Sequence, residues 1–114
     1  MSNVFLTKRV EFCASHRYYQ PHWSDEQNLI TFGHAYKLHG HGHNYLLEVS
    51  VGGPVNAVTG MVLNMYDLKH ILEIVLSEFD HKDLDRDTPY FTTTIATPEN
   101  LALVLSKRIA SHLQ

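Results

Sequence analysis

Two stretches of this chain alternate residue by residue, with histidines at the end of one and the start of the other. In residues 4–16, Leu6, Val10, Phe12, Ala14 and His16 fall on one face. Thr7, Arg9, Glu11, Cys13 and Ser15 fall on the other, and Lys8 is the single break on the apolar side. A period of two is the mark of a half-buried strand. In the second stretch, from about His41 to Val51, His41, His43, Tyr45, Leu47, Val49 and Val51 share a face, and Gly52-Gly53-Pro54 is expected to stop the strand. Residues two apart on a strand project to the same side, so His41 and His43 can reach one ion. Antiparallel pairing of the two strands brings His16 alongside them.

Histidine is the commonest metal ligand, through a neutral ring nitrogen. Three protein ligands with one position left open is the catalytic type of zinc site, whereas structural zinc sites are closed by a fourth ligand. A purely structural zinc module therefore fits poorly. The rival reading, surface histidines hydrogen-bonded to neighbours, serves an isolated H-x-H pair equally well. With His39 a further two residues upstream the balance moves to metal, and His39 itself stays ambiguous because it continues the same alternation. His22, His34, His70 and His112 carry no signal singly. A purification tag does not account for the nine histidines, which are dispersed and internal.

Between the strands, residues 17–40 show no sustained period and read as a long loop, which in a small domain is usually functional. Met61-Val62-Leu63 could form a short strand. Asn64 has the character of an N-cap with Asp67 in the first turn, and the helix predicted from Met65 to about Phe79 places Met65, Leu68, Leu72, Val75, Leu76 and Phe79 on one stripe. Thr97-Pro98-Glu99 is a second start signal: a cap, a proline at the first helical position and an acid in the first turn. That helix is expected to run to the end with Leu101, Val104, Leu105 and Ile109 inward. Strand, loop, strand, helix, helix leaves a small sheet with open edges, to be completed by other subunits or by further sequence.

Several classes are disfavoured. The net charge is −3 with no Lys/Arg-rich run, which argues against nucleic acid and anionic membranes as partners. No apolar stretch approaches the roughly 20 residues of a membrane helix, and the first residues lack a signal-peptide design. Cys13 is the only cysteine, so no disulfide forms within the chain and a reducing, cytoplasmic setting is expected. Asp80-His81 has the residue types of a general base and its orienting acid. Adjacent residues rarely point at one another, though, and a helix-terminal histidine favoured by the macrodipole explains the pair as well. Glu99 likewise needs no role beyond the first turn of a helix.

Taken in order along the chain, a set of motifs resembles the 6-pyruvoyltetrahydropterin synthase family. They are Phe12-Cys13-Ala14-Ser15-His16-Arg17, Asn28-Leu29 with Phe32-Gly33, and Gly40-His41-Gly42-His43-Asn44-Tyr45. Further on come Thr59-Gly60-Met61-Val62-x-Asn64, Leu68-Lys69, Asp80-His81-Lys82-Asp83-Leu84-Asp85, Pro89-Tyr90-Phe91 and Thr97-Pro98-Glu99-Asn100. Relatives in that family include 6-carboxytetrahydropterin synthase of the queuosine pathway. The resemblance implies an α+β tunnelling fold (T-fold): an antiparallel four-stranded sheet with two helices inserted after strand 2, in subunits that form trimers and hexamers. It implies Zn2+ on His16, His41 and His43. It also implies a lyase that releases triphosphate from 7,8-dihydroneopterin triphosphate, with Asp80 and His81 as a proton-relay pair and Thr97 and Glu99 lining the pterin pocket.

Two departures stand out. The family's catalytic cysteine lies in the loop before the zinc motif, six residues before the first paired histidine in the biopterin branch and four in the queuosine branch. Those positions hold Ala35 and Lys37. Strand alternation puts Cys13 opposite Ala14 and His16, away from the metal, so His34 and His39 are the better candidates for a replacement base. The second departure is that the family's last two strands, with a glutamate that anchors the pterin, have no counterpart before Gln114. The expectation is one synthase-like domain over residues 1–114, incomplete at its C-terminal side. The rival is a non-catalytic or altered-activity pterin-binding paralogue that lost the cysteine.

Overall fold

Both alternating stretches form strands. The computed structural model describes residues 2–113. Strands β1 (Asn3–His16) and β2 (His41–Pro54) pair antiparallel in one unbroken register, from Asn3 opposite Pro54 to His16 opposite His41. The Gly52-Gly53-Pro54 group does not stop β2 as expected; it stays paired to the last residue. Proline lacks a ladder donor but is tolerated at the end of an edge strand, and Gly52 leaves room for the Phe5 ring, which a Cβ there would strike at 2.3 Å.

Two amphipathic helices lie under one face of this ribbon. Helix α2 (Met65–Leu76) starts at Asn64, whose side chain accepts a hydrogen bond from the Tyr66 amide. It buries Leu68, Leu72, Val75 and Leu76. Helix α3 (Pro98–Ala110) starts at Thr97, whose hydroxyl accepts from the Asn100 amide, and it buries Leu101, Leu105 and Ile109. The helix expected to reach Phe79 ends three residues earlier, and Phe79 is buried from the following turn. Met65, assigned to the inner stripe, is instead 37% exposed. Phe12 and Ala14 of β1, with Phe79, Leu84, Phe91 and Ala96, complete the core.

The segment read as a long loop contains helix α1 (Asp25–Phe32) and a 3-10 turn, Gly33–Tyr36. The missed signal was Ser24, whose hydroxyl accepts from the Gln27 amide ahead of Asp25 and Glu26 in the first turn; Ser-x-x-Gln is a capping-box pattern. Apolar periodicity is absent because α1 is anchored by a polar residue. Asn28 is fully buried; its side chain accepts from the Gln20 amide and donates to the Gln20 and Ser24 carbonyls. Met61-Val62-Leu63 is irregular rather than a strand. A two-residue strand, β3 (Lys82–Asp83), pairs parallel with Ala14 and Ser15, so the sheet among the described residues is mixed, in the order β2-β1-β3. This is a small α+β fold.

The radius of gyration is 17.5 Å, against about 13 Å for a compact globule of this length. The longest dimension is 60 Å. The excess length is the far part of the ribbon, whose Asn3/Pro54 end extends past the helical core. No helix among the described residues is long and apolar enough to cross a membrane.

Candidate metal centre

The register places the histidines. His16 stands directly opposite His41, and Ala14 stands opposite His43, which makes His43 the diagonal neighbour of His16. The three rings converge, with centroids 4.5 Å apart for His16–His41, 4.9 Å for His16–His43 and 4.5 Å for His41–His43. One nitrogen from each ring falls within 4.8 Å of the other two. His16 forms the floor at 1% exposure, His41 is half-buried and His43 is exposed, so the cluster is open on one side.

Neither ring nitrogen of His16 has a hydrogen-bond partner among the described residues, although both are buried. A buried polar atom left unpaired costs about 1–3 kcal/mol, and two on one ring call for a partner that the protein does not itself supply. Burial first, and then the His41 and His43 charges, lower the His16 pKa to about 4. At neutral pH its imidazole is therefore an unprotonated lone-pair donor, the form that binds a metal. Borderline-soft Zn2+ suits an all-imidazole donor set. The residues present fit the ion that the sequence suggested.

The backbone entering β2 is shaped to allow this. Gly40 has a φ of 66°, and a Cβ at that position would lie 2.4 Å from the His16 carbonyl oxygen. Only glycine combines the left-handed conformation with such an approach. Around the rings, Tyr18 packs on His16 with centroids 4.5 Å apart, and the Tyr18 amide donates to the Ala35 carbonyl at 2.8 Å. Position 35 is thus tied through its carbonyl to the residue that packs on His16, and its methyl side chain carries no functional group.

Tyr45 follows His43 on the same face, its ring 5.7 Å from His43 and stacked on Phe12. Its hydroxyl is buried and unpartnered among the described residues. Burial, then the neighbouring Tyr18 and Asp85, push its pKa up to about 12, so it stays neutral. Asp85 is itself raised by burial, although it accepts from the Arg17 amide at 2.7 Å. Glu99 is exposed in the first turn of α3 and lies near enough to Tyr18 to add to the upward shift that burial gives that phenol. Thr97 has its hydroxyl engaged in capping α3.

Asp80 and His81 sit at the opposite edge of β1. The Cys13 amide donates to Asp80 Oδ1 at 2.9 Å and the His81 amide donates to the Cys13 carbonyl at 2.6 Å, so the turn is clamped to one strand residue. His81 adopts a φ of 60°, the only positive φ at a non-glycine residue among those described. Adjacent residues seldom face each other, but this conformation turns the imidazole back, and His81 Nδ1 lies 3.0 Å from Asp80 Oδ1. The Cys13 amide first, then His81 and the Cys13 thiol, hold the Asp80 carboxyl below the ordinary carboxylate range.

The two bases preferred from the sequence lie elsewhere. His34 is exposed on the 3-10 turn, and His39 is exposed and lines a separate cleft with Arg17, His22 and Arg86. The residue that joins the Asp80–His81 pair is Cys13, whose sulfur lies within 4.8 Å of a ligand-type atom of each. Alternation did put Cys13 on the strand face away from His16. It could not show that the 80–81 turn would fold back onto that position.

Residues 5–114 match the family described as 6-pyruvoyl tetrahydropterin synthase. The chain is 46% identical over 112 residues to the 6-pyruvoyl tetrahydrobiopterin synthase of Drosophila melanogaster, covering 97% of this chain and 67% of that protein. It is 45% identical over 101 residues to the human 6-pyruvoyl tetrahydrobiopterin synthase, covering 88% of this chain and 70% of that protein. The solved structure of Caenorhabditis elegans 6-pyruvoyl tetrahydropterin synthase superposes with a TM-score of 0.94 at 36% identity, covering 100% of this chain and 81% of that one.

Proposed function

This chain belongs to the 6-pyruvoyl tetrahydropterin synthase family, and from that premise we propose that it is a zinc-dependent lyase that releases triphosphate from 7,8-dihydroneopterin triphosphate. The observation that carries the reading is the buried, unpartnered His16 imidazole converging with His41 and His43. These three residues would hold the metal. A zinc ion bound there supplies Lewis-acid charge that makes a coordinated hydroxyl more acidic.

The protein's own groups divide the remaining work. The half-buried His41 and the exposed His43 keep one side of the cluster accessible to a ligand. Tyr45, neutral at physiological pH, offers its hydroxyl as a hydrogen-bond donor beside the cluster. His81 holds its Nδ1 against the Asp80 carboxylate; this fixes the tautomer and leaves Nε2 to take or give a proton. Thr97 and Glu99 contribute to the pterin pocket, Glu99 as a carboxylate acceptor and Thr97 by setting the start of α3. The exposed edges of the ribbon suit a homo-oligomer.

The test is zinc analysis of the purified protein together with release of triphosphate from 7,8-dihydroneopterin triphosphate. About one zinc per chain, lost on His16→Ala, with triphosphate release above background is the expected result. Stoichiometric zinc with no release overturns the lyase reading and favours the pterin-binding paralogue, for which Ala35 is the motivating observation.

A further inference from the structure

Besides the three histidines, one more group of ligand-type side chains converges among the described residues. The Cys13 sulfur, an Asp80 carboxylate oxygen and a His81 ring nitrogen all lie within 4.8 Å of one another. Strand alternation puts Cys13 on the face of β1 away from His16, so this group is separate from the histidine cluster. Adjacent residues such as Asp80 and His81 normally diverge, but the positive φ of His81 brings its Nδ1 to 3.0 Å from Asp80 Oδ1. Tetrahedral coordination with bonds of about 2.0–2.3 Å sets the ligand atoms about 3.3–3.6 Å apart, so the pair already stands near the spacing of two ligands on one ion. The third residue is held to them through backbone groups: Cys13 N–H donates to Asp80 Oδ1, and His81 N–H donates to the Cys13 carbonyl. The donors are therefore organised before anything binds. They are also reachable from solvent, with the His81 and Asp80 side chains 79% and 40% exposed and Cys13 partly exposed.

We propose that Cys13, Asp80 and His81 form a second metal site, for a borderline-soft divalent cation such as zinc or cobalt, and that filling it takes the Asp80–His81 pair out of proton transfer. A thiolate, an imidazole and a carboxylate are donors that such ions accept together. One thiolate and one carboxylate neutralise a divalent ion, and Lys82 and Asp83 in the adjoining cleft offset each other. The exchange balances without a redox step: the S–H bond breaks, a sulfur–metal bond forms, and the proton goes to solvent. His81 binds through Nδ1 and carries its own proton on Nε2. The nitrogen that a relay needs to take up a proton is then blocked. That consequence rests on the lyase reading above; the site itself does not. Because the thiol must give up its proton, protons compete with the metal at neutral pH, and this site fills only after the histidine cluster, at metal in excess.

Cobalt(II) titrated into the zinc-loaded protein reads the site directly, because a cobalt–thiolate bond adds a near-ultraviolet charge-transfer band and Cys13 is the only thiol. Zinc outcompetes cobalt for the histidines, so the band reports the second site alone. It should saturate at about one cobalt per chain with the zinc retained. Asp80→Asn and His81→Asn should each weaken cobalt binding by roughly tenfold or more, and His16→Ala should keep the band. Asparagine suits both positions: at 80 it can still accept from the Cys13 amide, and at 81 it tolerates the positive φ. No band at several equivalents of cobalt, or a band of undiminished affinity in both asparagine variants, overturns the proposal. Turnover supplies the second arm. Saturating free cobalt should lower triphosphate release by the parent roughly a hundredfold or more, as for a lost proton relay, and should leave a far larger fraction of the Cys13→Ser rate. Equal inhibition of the two overturns the link to proton transfer. A parent that releases no triphosphate removes the lyase reading, and the cobalt band still decides whether the site exists.

Discussion

At the Asn3/Pro54 end of the ribbon, Val4 and Phe5 are 42% and 70% exposed; at the His16/His41 end, Phe12, Ala14 and His16 are 5%, 5% and 1% exposed. The register is continuous between them and both ends alternate. The second end sends Phe12 and Ala14 into the core beside the 79–84 turn, α3 lies along residues 47–51 in the middle, and the first end meets only the 60–66 segment. The first end is held by cross-strand side-chain contacts, Thr7 to Ser50 at 2.7 Å and Arg9 to Glu48 at 2.9 Å, all in solvent. A strand pattern thus fixes which way a side chain points, and the helices decide whether that direction is the interior. The histidine cluster formed at the end where the pattern and the packing coincide.

The largest expected difference between the two ends is in stability. Phe79→Ala should destabilise by about 3–5 kcal/mol, and Phe5→Ala by no more than about 0.5 kcal/mol, measured by urea unfolding. Similar values for the two would mean that the exposed end is covered in solution. Next comes the metal. With free zinc at a thousandfold over its dissociation constant, binding should add about 4 kcal/mol. Chelation should then lower the melting temperature of the parent and leave that of His16→Ala unchanged; an equal drop in both would place the stabilising ion elsewhere.

Two glycines sharpen the comparison further. Gly40 and Gly60 both have positive φ, 66° and 72°, but a Cβ at Gly40 meets the His16 carbonyl whereas one at Gly60 meets nothing within 4 Å. Each alanine substitution should cost about 1–3 kcal/mol in backbone strain. Only Gly40→Ala should also abolish zinc binding, read by metal content after dialysis.

A smaller effect depends on pH. Burial alone would raise the Glu78 carboxyl, but hydrogen bonds from Tyr90 and Arg108 outweigh it and hold the carboxyl below its ordinary value. A carboxyl lowered on folding contributes stability above its unfolded pKa, and the contribution is lost as pH falls through the folded value. Glu78→Gln should therefore cost about 0.5–1 kcal/mol at pH 7, allowing for solvent screening. The difference from the parent should fade as pH drops below the carboxylate range, as read by thermal melts. Arg9→Ala, which breaks the exposed pair to Glu48, should change stability by no more than about 0.5 kcal/mol; a larger loss would show that the far end of the ribbon is held more firmly than its exposure implies.

Much of this could be read from the chain in order. Period-two runs marked β1 and β2, caps at Asn64 and Thr97 marked both long helices, and H-x-H on one strand face marked the histidine cluster. Helix α1 was missed because its buried contact is Asn28, a polar anchor that leaves no apolar period. The Asp80–His81 pair was legible as residue types but not as a contact, because the contact depends on the positive φ of His81. The bases preferred in the loop, His34 and His39, are exposed and lie apart from the Asp80–His81 pair, because position along the chain carries no information about where a 24-residue connection between strands will fold.

The sequence by itself determined local facts: that β1, β2, α2 and α3 form, which face each strand presents, and that His41 and His43 share a side. These follow from periodicities built into the backbone, 2.0 and 3.6 residues per repeat, which act over a few neighbours. The tertiary structure alone decided that His16 lies opposite His41, that its ring nitrogens are buried without partners, and that Cys13 meets Asp80 and His81. Each of those depends on register and chain reversal across 25 to 68 residues of sequence, set by long-range pairing and the burial of Phe79 and Leu84 beside it.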